Sequence, residues 1–181
     1  MILASEDNFV YCLNRENGLE KWAFASGFPI RRAPRVINDD LYVLPDRGGL
    51  FNLSIGSGIE KWSRPGVSDF LAASKTRLFM VDPTGNVVIL QRRDGRMLGS
   101  LPMRRFNVRF ENDRTDRLFL ATTTGLILCL REKGAEFATY HKFPERSPLV
   151  PETEPDEEPS SDAKEIPEAM PTEPKENTEA N

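Results

Sequence analysis

The sequence predicts an all-β protein: a β-propeller arc of about three and a half four-stranded blades, followed by a disordered acidic tail. Three observations predict it. The phrase GLEKW at 18–22 returns as GIEKW at 58–62. Short alternating apolar segments bounded by turn residues return with it at a spacing near forty residues, as strands of a repeating unit would. The last thirty-one residues then break the pattern with a composition that cannot fill a core.

Anchored on the glycine of the phrase, the repeat reads Gly18, Gly58, Gly95 and Gly134, with separations of 40, 37 and 39. Ten residues before Gly58 and Gly95 stand Gly48 and Gly85, and nine before Gly134 stands Gly125, so the fourth copy is one residue short. Asn8 holds the matching place in the first copy, and asparagine is enriched among non-glycine residues at positive φ. Between each pair lies an alternating apolar segment, NFVYCLN, GLFNLSI, NVVILQR and GLILCLR, with Leu13, Leu53, Leu90 and Leu130 in register.

Each unit supplies four strands in order. RAPRVIN, DFLAAS and NVRFEN are first strands; ILAS, LYVLPD, LFMVDP and LFLATT are second strands. The alternating segments are third strands, and a fourth runs through the phrase, as in IEKWSR at 59–64. β-Branched and aromatic residues fill them, and PDRGG and DPTGN read as hairpin turns. The first unit lacks its first strand. No sustained 3.6-residue stripe argues for a helix before the tail. A β-sandwich also has regularly spaced strands, but has no reason to repeat its sequence. Residues 1–147 are therefore expected to be propeller repeats and 148–181 the tail.

Within IEKW, simple alternation places Ile59 and Lys61 on one face, Glu60 and Trp62 on the other. Trp22 and Trp62 are expected to fill the widening wedge between blades near the rim, each indole N–H bonded to a neighbouring backbone carbonyl. The phrase is thus read as a packing device. Its structural residues are Gly18, Trp22, Gly48, Gly58, Trp62, Gly85, Gly95 and Gly125. The third and fourth copies, GRMLG and GAEFA, have lost the Trp.

Composition excludes several classes. The chain has 181 residues, 39 % of them apolar, and a net charge of −4. Residues 151–181 hold eleven acidic and two basic side chains and six of the fourteen prolines, so residues 1–150 carry +5. Cys12 and Cys129 make neither a disulfide framework nor a metal spacing, and both are expected to be buried thiols. No apolar run approaches a membrane span, so no transmembrane segment is expected. The N-terminus lacks the basic start and apolar core of a signal peptide. His141, the only histidine, is expected to be solvated at the surface. Asn112, Asp113 and Asp116 in FENDRTDR lack the spacing of a calcium loop and are read as a polar hairpin. Arg31, Arg32 and Arg35 lead into one innermost strand, and Arg104, Arg105 and Arg109 into another. Innermost strands line a propeller's channel, so these six form a candidate positive mouth for anionic ligands, against ordinary loop charge. Nucleic acid is not expected, since no aromatics interleave the basic residues.

Residues 22–62 resemble the PQQ-like β-propeller repeat. The residues that carry the resemblance are Pro34, Val36, Leu41, Tyr42, Val43, Gly48, Gly49, Leu50, Leu53, Gly58 and Trp62. The first unit joins through Ser5, Asp7, Tyr11, Leu13, Gly18 and Trp22, and the resemblance covers about residues 2–141. The family implies a propeller of seven or eight blades and comes in two kinds. One is non-enzymatic, among them the lipoprotein of the outer-membrane assembly machine. The other is the pyrroloquinoline quinone (PQQ) and Ca²⁺-dependent quinoprotein dehydrogenase. The dehydrogenases' adjacent cysteines and carboxylate set are missing here. The expectation is a non-catalytic scaffold without cofactor or metal, the C-terminal part of a propeller, binding a protein partner or the remaining blades. The alternative is a fragment of such a dehydrogenase. The compartment is not legible in this chain; the resemblance implies periplasmic or envelope association.

Overall fold

The structure, a computed structural model, describes residues 1–143 and residue 145. The chain divides into two units, Met1–Pro148 and Leu149–Asn181, and the expected tail at 148–181 lies outside the described residues. Among the described residues, fourteen antiparallel strands form four sheets. Blade 1 holds β1 (Ile2–Ala4), β2 (Phe9–Leu13) and β3 (Glu20–Ala25). Blade 2 holds β4 (Arg35–Ile37), β5 (Asp40–Val43), β6 (Leu50–Ser54) and β7 (Glu60–Arg64). Blade 3 holds β8 (Asp69–Ala73), β9 (Arg77–Val81), β10 (Val87–Gln91) and β11 (Met97–Leu101). Blade 4 holds β12 (Val108–Phe110), β13 (Leu118–Ala121) and β14 (Ile127–Leu130). Strand order follows chain order in every sheet. The four sheets form an open propeller arc.

The turns repeat with the sequence. Asn8, Gly48, Gly85 and Gly125 have φ of 78°, 92°, 90° and 95°, the left-handed region that the hairpins require. In the next turn, Gly18 N–H donates to the Asn14 carbonyl at 3.0 Å, Gly58 to Ser54 at 2.8 Å and Gly95 to Gln91 at 2.9 Å. After this turn β2/β3, β6/β7 and β10/β11 share one irregularity. Leu13 pairs with Glu20 while Cys12 pairs with Trp22, and Leu53 pairs with Glu60 while Asn52 pairs with Trp62. Lys21 and Lys61 are thus extra residues of a β-bulge. The bulge corrects the alternation expected for IEKW: Glu60 and Trp62 stand beside consecutive residues of β6, on opposite faces of the sheet.

The core lies in the three gaps between successive blades. Val10, Trp22 and Phe24 meet Leu41, Val43, Leu53 and Ile55 in the first. Ile37, Tyr42, Leu50 and Trp62 meet Phe70, Leu78, Met80 and Leu90 in the second. Leu71, Phe79, Val81 and Val87 meet Phe106, Leu118 and Leu120 in the third. The fourth strand expected in GAEFA does not form. That copy is a residue short, and its turn closes instead through Ala135 N–H to the Glu132 carbonyl. Tyr140 makes only an isolated bridge to Thr115.

Candidate functional site

The first two blade junctions are closed by the repeated phrase, but across blades; the third has no tryptophan, and nothing lies within 4 Å of a Cβ built on Gly134. Trp22 Nε1 donates to the Ile55 carbonyl at 3.2 Å, and Trp62 Nε1 to the Arg92 carbonyl at 3.0 Å. Ile55 and Arg92 are equivalent positions of consecutive blades. The ring of Trp22 lies against Gly58, and that of Trp62 against Gly95, where an added Cβ would stand 2.5 Å from Cε3. The glycine therefore serves twice: it forms its own turn and seats the preceding blade's indole. The second duty has no local signal in the sequence.

A polar latch accompanies the indole. The Arg92 guanidinium is buried between blades 2 and 3 and donates to Asp40 Oδ2 at 3.0 Å and to the Ser74 carbonyl at 2.8 Å. It also donates to the Tyr42 hydroxyl, at 3.2 Å. Burial pushes the Asp40 carboxyl up, but hydrogen bonds from Lys61 and Arg92 outweigh it and hold the group below the ordinary 3.8. Burial likewise raises the Tyr42 phenol well above its ordinary value. At the next junction the same two positions are Arg77 and Glu132, 3.7 Å apart, with Glu132 also accepting from Ser74 Oγ at 2.8 Å. The signs are exchanged: acid then base at one junction, base then acid at the next.

The six arginines of the expected mouth bind separate partners. Arg31 pairs with Asp46 and lies 3.4 Å from Glu6, and Arg32 binds Asp69 at 2.8 Å. Arg35 reaches from blade 2 to Glu111 and Asp113 beyond β12. Arg104 donates to Asn86 Oδ1 at 3.2 Å, Arg109 to the Gly85 carbonyl at 3.3 Å, and Arg105 lies over the Phe106 ring. Among the described residues, no carboxylate pairs with Arg104, Arg105 or Arg109. Glu6, Asp46, Asp69 and Glu111 were not singled out in the sequence, because nothing local marks a carboxylate that meets a base 15 to 76 residues away.

Three further expectations meet the structure differently. His141 is half-buried rather than solvated, with Nε2 2.6 Å from the Ala73 carbonyl. Cys12 is buried, but Cys129 is exposed, because it lies on the outward face of blade 4. The acidic turn does not converge: Asp113 binds Lys142 and Arg35, while Asp116 accepts from Arg117 and the Thr139 N–H. PQQ with Ca²⁺ needs oxygen ligands converging on one point, and these residues do not fit that group. Among the described residues, no three His, Cys, Asp or Glu side chains gather.

Residues 1–142 match the PQQ_2 family, described as outer membrane protein assembly factor BamB. The chain belongs to this family. Among solved structures it is similar to BamB from Moraxella catarrhalis, with a TM-score of 0.56 and 17 % identity, over 72 % of this chain and 42 % of that one. The computationally designed Ika4 protein is similar at a TM-score of 0.57 and 14 % identity, over 72 % of this chain and 83 % of that one. The designed Ika8 protein gives 0.54 and 12 %, over 72 % and 42 %. Identities this low show the fold. No curated protein matches the sequence. The chain spans well under half the length of the Moraxella protein.

Within this member of the BamB family, the two end blades carry the surfaces left uncovered. On blade 1, Leu3 is 48 % exposed where its equivalents Val43 and Met80 are fully buried. Phe9, two residues along β2 from Leu3's partner Tyr11, is also exposed. On blade 4, Val108, Phe110 and Ile127 are exposed, Ile127 to 70 %. Polar clefts of about 560 Å³ open between blades 2 and 3, beside Asp40, Lys61 and Arg92, and beside Glu132 and Ser74. Both flank the latches.

Proposed function

We propose that the chain is a non-catalytic propeller module of the cell envelope that binds a protein partner through the outward faces of its end blades. One observation carries the reading: apolar side chains at repeat positions buried in the inner blades stand open on blade 1, Leu3 above all. Apolar sheet faces of this kind mark interaction surfaces. The family's description as an assembly factor supports both the scaffold role and the envelope context. No helix among the described residues is long and apolar enough to cross a membrane. A dehydrogenase fragment is the lesser reading, since the acidic side chains near β12 are committed to basic partners.

The test is site-specific photocrosslinking in envelope preparations. Crosslinkers at Phe9 and at Phe110 are expected to give discrete protein adducts, while one at Arg47 gives none. Absence of adducts, together with saturable PQQ- and Ca²⁺-dependent dye reduction by the purified chain, would replace the scaffold reading with the enzyme.

A further inference from the structure

The outward face of blade 1 repeats a surface that is occupied elsewhere in the molecule. On blade 3, Gly95 seats Trp62, the Arg92 carbonyl takes its indole proton, and the Arg92 guanidinium takes Asp40. On blade 1 the equivalent residues are Gly18 and Arg15. Gly18 and Gly95 share φ of 70°. The turns are closed alike: Asn14 N–H donates to the Leu19 carbonyl at 2.7 Å, Gln91 N–H to the Arg96 carbonyl at 2.8 Å. Leu13 stands for Leu90, and Leu3 for Met80. Yet no atom lies within 4 Å of a Cβ built on Gly18. Arg15 is exposed and unpaired among the described residues. Seat, carbonyl, guanidinium and apolar floor are all present at the positions that hold blade 2 on blade 3.

We propose that this face receives a blade of a partner propeller chain, which lays a tryptophan of its outer strand on Gly18. The indole N–H goes to the Arg15 carbonyl, and a carboxylate at the start of the partner's second strand pairs with the Arg15 guanidinium. The proposal rests on the interaction-module reading and names the chemistry of the partner. A second copy of this chain is a poor occupant. Its blade 4 would present Ala138 at the tryptophan position and Arg117 opposite Arg15. Arg117 is already committed to Asp116 and to the carbonyls of Ala135 and Glu136. Like charges facing each other select against that closure.

The molecule's own blade 2 carries the required pair, Asp40 and Trp62, and serves as the probe. Because Met1 follows the register of Leu78, residues 28–77 joined directly ahead of Met1 place a copy of blade 2 on this face. The tandem chain is expected to unfold at a higher denaturant concentration than the original. In it, Arg15→Glu lowers the folding equilibrium constant roughly tenfold, as loss of a charge-assisted hydrogen bond does. Changing the added copy's Asp40→Arg as well recovers part of the loss, following the exchanged signs of Arg77 and Glu132. The original chain is indifferent to Arg15→Glu and sediments as a monomer. A tandem chain no more stable than the original, or additive effects of the two substitutions, would overturn the proposal. So would a tight dimer of the original chain that Arg15→Glu strengthens, which would make the second copy the occupant. Missing crosslinks in the envelope would instead remove the module reading while leaving the coupling in place.

Discussion

At the scale of single residues, Gly95 and Gly18 have the same backbone and different surroundings, which separates their two duties. An L-residue at φ of 70° carries strain of roughly 1–2 kcal/mol. Gly18→Ala should cost only that, since nothing lies near the added methyl. Gly95→Ala must also displace the Trp62 ring, bringing the cost to about 2–5 kcal/mol. Urea denaturation of the two variants measures the difference. Trp62→Ala should itself cost about 3–5 kcal/mol. A second prediction concerns acid. Asp82 closes the DPTGN turn; burial pushes its carboxyl up, but hydrogen bonds from Thr84 and Asn86 prevail and bring it to about 2. Asp40 is also held below the ordinary 3.8. Groups lowered on folding contribute stability above the unfolded value and lose it as pH falls through the folded one. Stability should therefore drop between pH 3.8 and about 2, and Asp40→Asn should make that drop shallower in acid titrations followed by fluorescence. The glycines, the Trp and the hairpin turns were legible because each imposes a local requirement. The seat under each indole and the carboxylates facing the arginines were not, because they join residues that no local pattern links, from 15 to 76 apart for the arginine pairs.

At the scale of elements, period-two alternation located the strands, since each is short, apolar and framed by turn residues. It failed inside the phrase, because a single extra residue at Lys61 reverses the faces without changing composition. It failed again after Gly134, where a deleted residue leaves no outer strand among the described residues. The latches add a rule that strand reading could not supply. Asp40 with Arg92 and Arg77 with Glu132 occupy the same two positions with opposite sign, so each junction accepts its own neighbour and repels the other's. At these two of the three junctions, blade order is thereby written in charge. Arg92→Glu should destabilise the chain by about 3–5 kcal/mol, since it leaves Asp40 facing a like charge in a buried site. Adding Asp40→Arg should recover only part of this, because Arg92 also donates to the carbonyls of Ser74 and Ile37, which a carboxylate cannot serve. A double-mutant cycle measures the recovered part; a coupling near zero would mean that the pair does not set the junction.

For the molecule as a whole, an arc of stacked blades is a nearly one-dimensional array, in which each blade is stabilised by its neighbours. Blades 2 and 3 are covered on both faces, while among the described residues blades 1 and 4 each have one open face. The two thiols report on these ends separately. Cys129 lies exposed on the open face of blade 4, and Cys12 is buried in the gap between blades 1 and 2. Under native conditions a thiol reagent should modify Cys129 at once and Cys12 only through opening of blade 1. That opening should need less free energy than global unfolding, because blade 1 gives up the packing of one gap and keeps none on its other side. Cys12 should therefore react faster than the denaturant-derived stability allows, with a rate that depends little on urea at low concentration. Covering the outward face of blade 1 changes this. In the tandem chain Cys12 should be slowed toward the global limit, while Cys129, at the other end, keeps its rate. If both thiols slow together, the added blade acts on the whole arc rather than on one face. If neither slows, the face of blade 1 is not a docking surface for a blade, and the exposed Leu3 and Phe9 belong to a different kind of contact.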